Sequence, residues 1–251
     1  MQARIDYVTL NNLPPADTNK QINCYLYDPN LNILLTDVEW ERWTINPFDA
    51  PIYQDLVTRF STNIVGKKVL IVGSGIGILN QLVKNANCAE LWIIEPNQNQ
   101  LTRLANQGFT TAGTTHIIDS RWEDVIYEEG FPTDFDFIYY NVGFDAFFET
   151  YNGVLAFSNI VKNHLAPNGI YSWWSDNHSN KLSTIVINNQ NEWCCVKLIL
   201  QDHGFTVQNA VIEINPQTVP SSYDVCPFIS NQKYESGFKH QQEWVKKIIN
   251  S

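Results

Sequence analysis

Three glycines, a glutamate and an asparagine are spaced as a ligand site would space them. Gly73, Gly75 and Gly77 follow the apolar run Val69 to Val72 and precede a helical stretch. Glycine is needed where backbone turns sharply and comes close to a ligand, and the N–H groups of the following helix start can meet polar ligand atoms. Ser74 lies within the same turn. Glu95 closes the next apolar run about 20 residues further on, where a carboxylate accepts hydrogen bonds from both hydroxyls of a ribose. Pro96 and Asn97 continue that strand end. Each feature also has a plain reading: a tight strand-to-helix turn for the glycines, a solvated strand end for Glu95.

Two later words extend the pattern. In DSRWEDV, Asp119 to Val125, Trp122 and Glu123 would flank an adenine ring and its amino group, although Trp122 serves equally well as core. In IYYNVGF, Asn141 stands just past a fourth apolar run. Its amide oxygen would accept a hydrogen bond from a substrate N–H and aim the nitrogen lone pair at a methyl donor, which is catalysis by positioning. Phe144 would stack on a planar group. The alternative is that Asn141 satisfies turn backbone. The spacing G-x-G-x-G, rather than G-x-G-x-x-G, favours S-adenosylmethionine (SAM) over a dinucleotide and leaves a nicotinamide oxidoreductase as the weaker reading.

These residues need a scaffold that brings strand ends together. Val69 to Val72, Leu91 to Ile94, His116 to Ile118, Phe135 to Tyr140 and Ile170 to Trp174 read as strands, with helical patterns between them. Continuous apolar strands alternating with helices predict an α/β, Rossmann-like, mostly parallel seven-stranded sheet covered on both faces. Ile52, Leu56, Val57 and Phe60 predict a helix over 51–60. Glu192 to Asp202 reads as a helix, Val207 to Ile214 and Asp224 to Ile229 as a closing antiparallel pair, and Phe238 to Trp244 as an amphipathic helix. One domain over 1–251 is expected, with 1–60 as an N-terminal arm or lid and 61–251 as the core.

Composition narrows the function classes. The 251 residues are 44% hydrophobic and 17% charged, enough for one sizeable core. No run approaches the roughly 20 apolar residues of a membrane helix, and the N-terminus lacks a signal-peptide pattern, so a cytoplasmic protein without a membrane partner is expected. A formal charge of −10 argues against nucleic acid as substrate. The 5 cysteines form no C-x-x-C pair, and His164, His178 and His203 have no ligand spacing, so no metal site is expected. A homodimer stays open.

Taken together, ERW at Glu41 to Trp43, VLIVGSG, LWIIEPN, RWEDV, FDFIYYN, IVKNHLAPNG and VP-x5-C resemble guanidinoacetate N-methyltransferases, in order, from Val38 to about Phe228. The resemblance implies a class I methyltransferase fold with SAM as cofactor. Gly73, Gly75 and Gly77 would line the cofactor, Glu95 would bind the ribose, and Trp122 with Glu123 would border the adenine. Trp40 matches a methionine that touches both ligands, and Phe48 another cofactor-side methionine.

The substrate positions depart from that pattern. Where the family grips a guanidinium with two acids, this chain has Thr44 and Asn141, and neither accepts a proton near neutral pH. Where the family cradles a substrate carboxylate by backbone, it has Asp176 and Asn177. Asp145 could supply a displaced carboxylate or cap a helix beginning at Ala146, and Trp173 with Trp174 could wall the pocket. The expected activity is methyl transfer to a guanidino, amine or amide nitrogen of a small molecule or peptide, diverged from guanidinoacetate. An arginine-directed protein methyltransferase and an inactive SAM-binding interaction protein are the alternatives.

Overall fold

The structure is a computed structural model that describes residues 27–28, 33–34, 49–74, 77–141, 146–175, 182, 184–213 and 239–248. The chain divides into two compact units, 1–52 with 213–238 and 53–212 with 239–251. In the first, β1 (Tyr27–Asp28) pairs antiparallel with β2 (Ile33–Leu34). Helix α1 (Asp49–Arg59) runs across the boundary in sequence.

The second unit is built on a seven-stranded sheet. Its strands are β3 (Lys68–Val72), β4 (Glu90–Ile94), β5 (Thr115–Ile118), β6 (Phe135–Tyr140), β7 (Leu165–Ser175), β10 (Phe205–Glu213) and β11 (Lys239–Lys247). A separate hairpin, β8 (Ile185–Ile187) with β9 (Trp193–Cys195), lies between β7 and β10 in sequence. The sheet order is β10-β11-β7-β6-β3-β4-β5. Pairs β3–β4, β3–β6, β4–β5 and β6–β7 are parallel, whereas β11 runs antiparallel to β7. The expected Rossmann-like α/β sheet with a C-terminal antiparallel strand is therefore present.

Helices cover both faces, which is why the central strands read as unbroken apolar runs. One face packs Leu70, Val72, Ile138, Tyr140, Tyr171 and Trp173 beneath α5 (Trp122–Val125), α6 (Tyr151–His164) and α7 (Val196–Asp202). The other packs Val69, Ile71, Phe137 and Tyr139 against α1, α2 (Ser61–Ile64), α3 (Ile78–Asn85) and Leu104 of α4 (Gln98–Asn106). Thr150 starts α6 by accepting the Gly153 N–H at 3.1 Å, the role of an N-cap, after a short 3-10 turn at Ala146–Phe148.

Two expectations change, and a third lies outside the described residues. Lys239 to Trp244 form part of strand β11, not an amphipathic helix: Glu243, Trp244 and Val245 are all buried because β11 lies between β7 and β10, and an interior strand shows no alternation. The neighbour of β10 at the sheet edge is this strand, whereas Asp224 to Ile229 lie outside the described residues. The helix expected from Glu192 begins only at Val196, since Trp193–Cys195 pair with Ile185–Ile187. No helix among the described residues is long and apolar enough to cross a membrane.

Trp173 belongs to the core: it is 1% exposed, packs against Phe148, Phe157 and Tyr171, and donates its indole N–H to Glu243 Oε2 at 2.8 Å. The other oxygen of that buried carboxylate accepts the Leu182 N–H at 3.4 Å.

Candidate functional site

The carboxyl ends of β3, β4 and β6 adjoin, and in open α/β sheets ligands bind just outside such ends. Each ladder continues one residue beyond its strand. The N–H of Gly73 bonds Ile94 O at 2.8 Å, that of Glu95 bonds Ile118 O at 3.0 Å, and that of Asn141 bonds Val72 O at 2.9 Å. Gly73, Glu95 and Asn141 are thereby held in place by backbone.

Glu95 is 6% exposed, and its carboxylate turns toward the glycine turn. Oε2 accepts both the Ser74 N–H and the Ser74 hydroxyl at 2.8 Å, and Oε1 accepts the Asn97 N–H at 3.0 Å. A carboxylate accommodates about four donors, so three are supplied by protein and one place on Oε1 remains for a ligand hydroxyl. A second ligand hydroxyl would need the Ser74 side chain to turn away.

Ile94 and Pro96, on either side of Glu95, border a cavity of about 340 Å³ that Val72, Gly73, Arg121, Trp122, Glu123, Asp124 and Tyr140 also line. That is within the range of about 300–1,000 Å³ typical of small-molecule sites. Trp122 is 3% exposed and held edge-on by Phe131 and His164, which fixes the ring that borders the cavity. Tyr140 is buried and hydrogen-bonds Glu123; burial first, then the charge of Glu123 and that hydrogen bond, push its phenol well above the usual tyrosine range. Behind it Tyr171, with ring centroids 6.4 Å apart, is pushed up by burial, then by the charges of Tyr140 and Glu123. The cavity therefore has an aromatic wall of Trp122 and the protonated phenol of Tyr140, and a rim carrying Arg121, Glu123 and Asp124.

Glycine is required at two points of the turn. Gly73 has φ +79° and lines the cavity. Gly77, at φ +88°, caps α3, and a Cβ there would run into Gln107 and Leu104. Its bare Cα thus serves the packing of α3 against α4 as well as the turn.

Asn141 is tied at both ends of its amide. Its Nδ2 donates to Gly73 O at 3.2 Å, and its Oδ1 accepts the Tyr53 hydroxyl at 2.9 Å. Tyr53 is 6% exposed on α1 and meets the Tyr139 ring edge-on at 6.1 Å. The amide is thus engaged with turn backbone, as the plainer sequence reading has it, and a substrate N–H would have to share Oδ1 with Tyr53.

Gly73, Ser74, Glu95, Pro96, Asn97, Trp122, Glu123 and Asn141 come together at these strand ends, with Gly77 starting the next helix. Trp40, Thr44, Phe48, Gly75, Phe144, Asp145, Asp176 and Asn177 lie outside the described residues. Sequence reasoning missed Tyr53, Arg121 and Tyr140. The signal for Tyr53 was a tyrosine on the apolar face of a helix, where a buried hydroxyl needs a partner. Among the described residues no three metal-ligating side chains converge, and the His164 nitrogens face Pro132 O and Ile126 O.

A SAM-sized ligand fits what is present: a positive-φ glycine at the cavity wall, a strand-end carboxylate with one open place, and a buried indole beside two acidic side chains. The family model described as guanidinoacetate N-methyltransferase matches residues 16–221. Among curated relatives, protein arginine N-methyltransferase 2 of Yarrowia lipolytica is 26% identical over 163 residues, 64% of this chain and 32% of that protein. The protein of the same name from Candida glabrata is 29% identical over 122 residues, 47% of this chain and 28% of that one. The chain thus spans about a third of the length of these relatives. Two solved structures share the fold at a TM-score of 0.50. N-methyltransferase NodS from Bradyrhizobium japonicum, in complex with S-adenosylhomocysteine (SAH), is 15% identical, with 84% of this chain and 93% of that chain covered. An S-adenosylmethionine dependent methyltransferase from Mesorhizobium loti is 12% identical, with 81% and 100% covered.

Proposed function

The chain belongs to the guanidinoacetate N-methyltransferase family of SAM-dependent methyltransferases, and on that footing we propose that it moves the methyl group of SAM to a guanidino, amine or amide nitrogen of a small molecule or peptide other than guanidinoacetate. The observation that supports this reading is the cavity at the ends of β3, β4 and β6 with a neutral amide at its β6 side. Glu95 keeps an open carboxylate place beside the cavity, while the position that the family resemblance assigns to an aspartate is an amide bonded to Gly73 and Tyr53.

SAM, when bound, supplies a methyl group on a sulfonium that needs alignment and exclusion of water more than a strong base. The chain's own residues serve those needs. Glu95 would accept a ribose hydroxyl on Oε1, and Trp122 and Tyr140 would give the adenine apolar contact while Glu123 takes its amino group. Asn141 holds the Gly73 carbonyl and presents no charge to an incoming nitrogen. A cationic guanidinium would there lose the charge-assisted bonds that a carboxylate offers, an effect of about 2–5 kcal/mol per buried pair.

Arginine in a protein is the second acceptor reading, supported by the 26% and 29% identity to proteins named arginine N-methyltransferase 2. A transfer assay with methyl-labelled SAM and a panel of guanidinoacetate, an arginine–glycine peptide and simple amines tests both. Label on the peptide or an amine, with guanidinoacetate at background, is the expected outcome. Efficient transfer to guanidinoacetate would contradict the divergence, and SAH binding with no transfer to any acceptor would point to a binding protein.

A further inference from the structure

We propose that Tyr53 is a positioning residue for the cofactor, acting from α1 through Asn141 on the carbonyl of Gly73. The inference rests on the reading of the cavity as a SAM site and adds to it a residue 88 positions from Asn141 that no motif marks.

The direction of each hydrogen bond follows from chemistry. Gly73 O can only accept, so the nitrogen of the Asn141 amide must face it, at 3.2 Å. That leaves Oδ1 toward α1, where the Tyr53 hydroxyl donates at 2.9 Å. The Gly73 carbonyl thus sets which way the amide points, and Tyr53 anchors the amide's other end, so that the pair holds the carbonyl of the residue that begins the turn and lines the cavity. Gly73 stands at φ +79°; its N–H is still bonded to Ile94 O, and its carbonyl accepts from the Asn141 amide. Burial makes the arrangement firm: Tyr53 is 6% exposed and its ring is braced by Tyr139.

An aspartate at 141 would break the relay. It has no N–H for Gly73 O and would set a carboxylate against a carbonyl. Restoring the acid that the family resemblance places there should weaken cofactor binding in this chain instead of recovering an ancestral substrate.

Calorimetric titration of the full chain with SAH tests the proposal, using Tyr53→Phe, Asn141→Ala, Asn141→Asp and the Tyr53→Phe/Asn141→Ala pair. Tyr53→Phe should weaken SAH about five- to tenfold, Asn141→Ala by a similar factor, and the double variant no further than the weaker single one, because both cut the same relay. Thermal melting, read alongside, should fall less than additively in the pair, since the two side chains bond each other; lowered melting with wild-type SAH affinity in Tyr53→Phe would mean a structural role alone. Asn141→Asp should bind SAH at least as weakly as Asn141→Ala. Wild-type affinity in Tyr53→Phe, or additive losses in the pair, would overturn the relay while leaving the cofactor site standing; failure of the wild-type chain to bind SAH would overturn both.

Discussion

The ends of β3 and β4 and the end of β6 adjoin in one sheet, yet they are built in opposite ways. At the first two, the groups offered to a ligand are largely backbone or backbone-held: a glycine at positive φ, a carboxylate gripped by the N–H groups of Ser74 and Asn97, and a cavity wall of strand residues. At the end of β6 stands one amide, bonded on one side to Gly73 O and on the other to a side chain from α1. A site made from local backbone survives divergence of sequence, since few residue types can replace it. One made from side chains of distant elements changes with any of them. On the proposed reading, this contrast accounts for a cofactor rim kept beside an acceptor edge that differs from the family pattern at Asn141.

The contrast is broken most directly at Glu95. Glu95→Ala removes the acceptor of three protein donors as well as the ligand's place, and SAH affinity should fall about 100-fold, read by calorimetry. Loss of less than about threefold would mean that the rim is not where the cofactor is held. A second buried carboxylate gives the control. Glu243 on β11 accepts from Trp173 Nε1–H on one oxygen and from the Leu182 N–H on the other, so Glu243→Gln must forfeit one of these bonds. Its expected cost is about 1–3 kcal/mol in urea unfolding with SAH affinity unchanged.

A smaller effect sharpens the view of the cavity wall. Burial and Glu123 hold the phenols of Tyr140 and Tyr171 above their unfolded values, so both stay protonated in the native state while the unfolded chain ionises near about pH 10. Their contribution is complete below that pH and is lost as the pH rises past it. Replacing Tyr140 and Tyr171 by phenylalanine should therefore flatten the fall in stability between about pH 10 and 12 in urea melts, and an unchanged slope would contradict the assignment. The smallest effect belongs to Asn80 on α3, fully buried with neither amide atom hydrogen-bonded. Asn80→Ala should lie within about 0.5 kcal/mol of wild type or be more stable, whereas Asn141→Ala, which frees two partners, should not.

Legibility in the sequence followed the same line. The strands beneath the cofactor rim announced themselves as apolar runs, and Gly73, Glu95 and Trp122 were readable because each sits at a fixed place relative to its own strand. Strand β11 was hidden: lysines, glutamines and a glutamate at 239–247 carry no strand alternation, and the buried Glu243 meets Trp173 and Leu182, which are distant in sequence. Tyr53 was hidden for the same reason. Its meaning lies in a partner on another element, and no local spacing encodes that.

The central claim, a retained cofactor site beside a diverged acceptor edge, is tested most directly by one calorimetric titration of the purified chain with SAH, followed by guanidinoacetate added to the SAH complex. The account predicts SAH binding with a Kd on the order of micromolar and no heat from guanidinoacetate. Absence of SAH binding, or tight binding of guanidinoacetate to the complex, would contradict it.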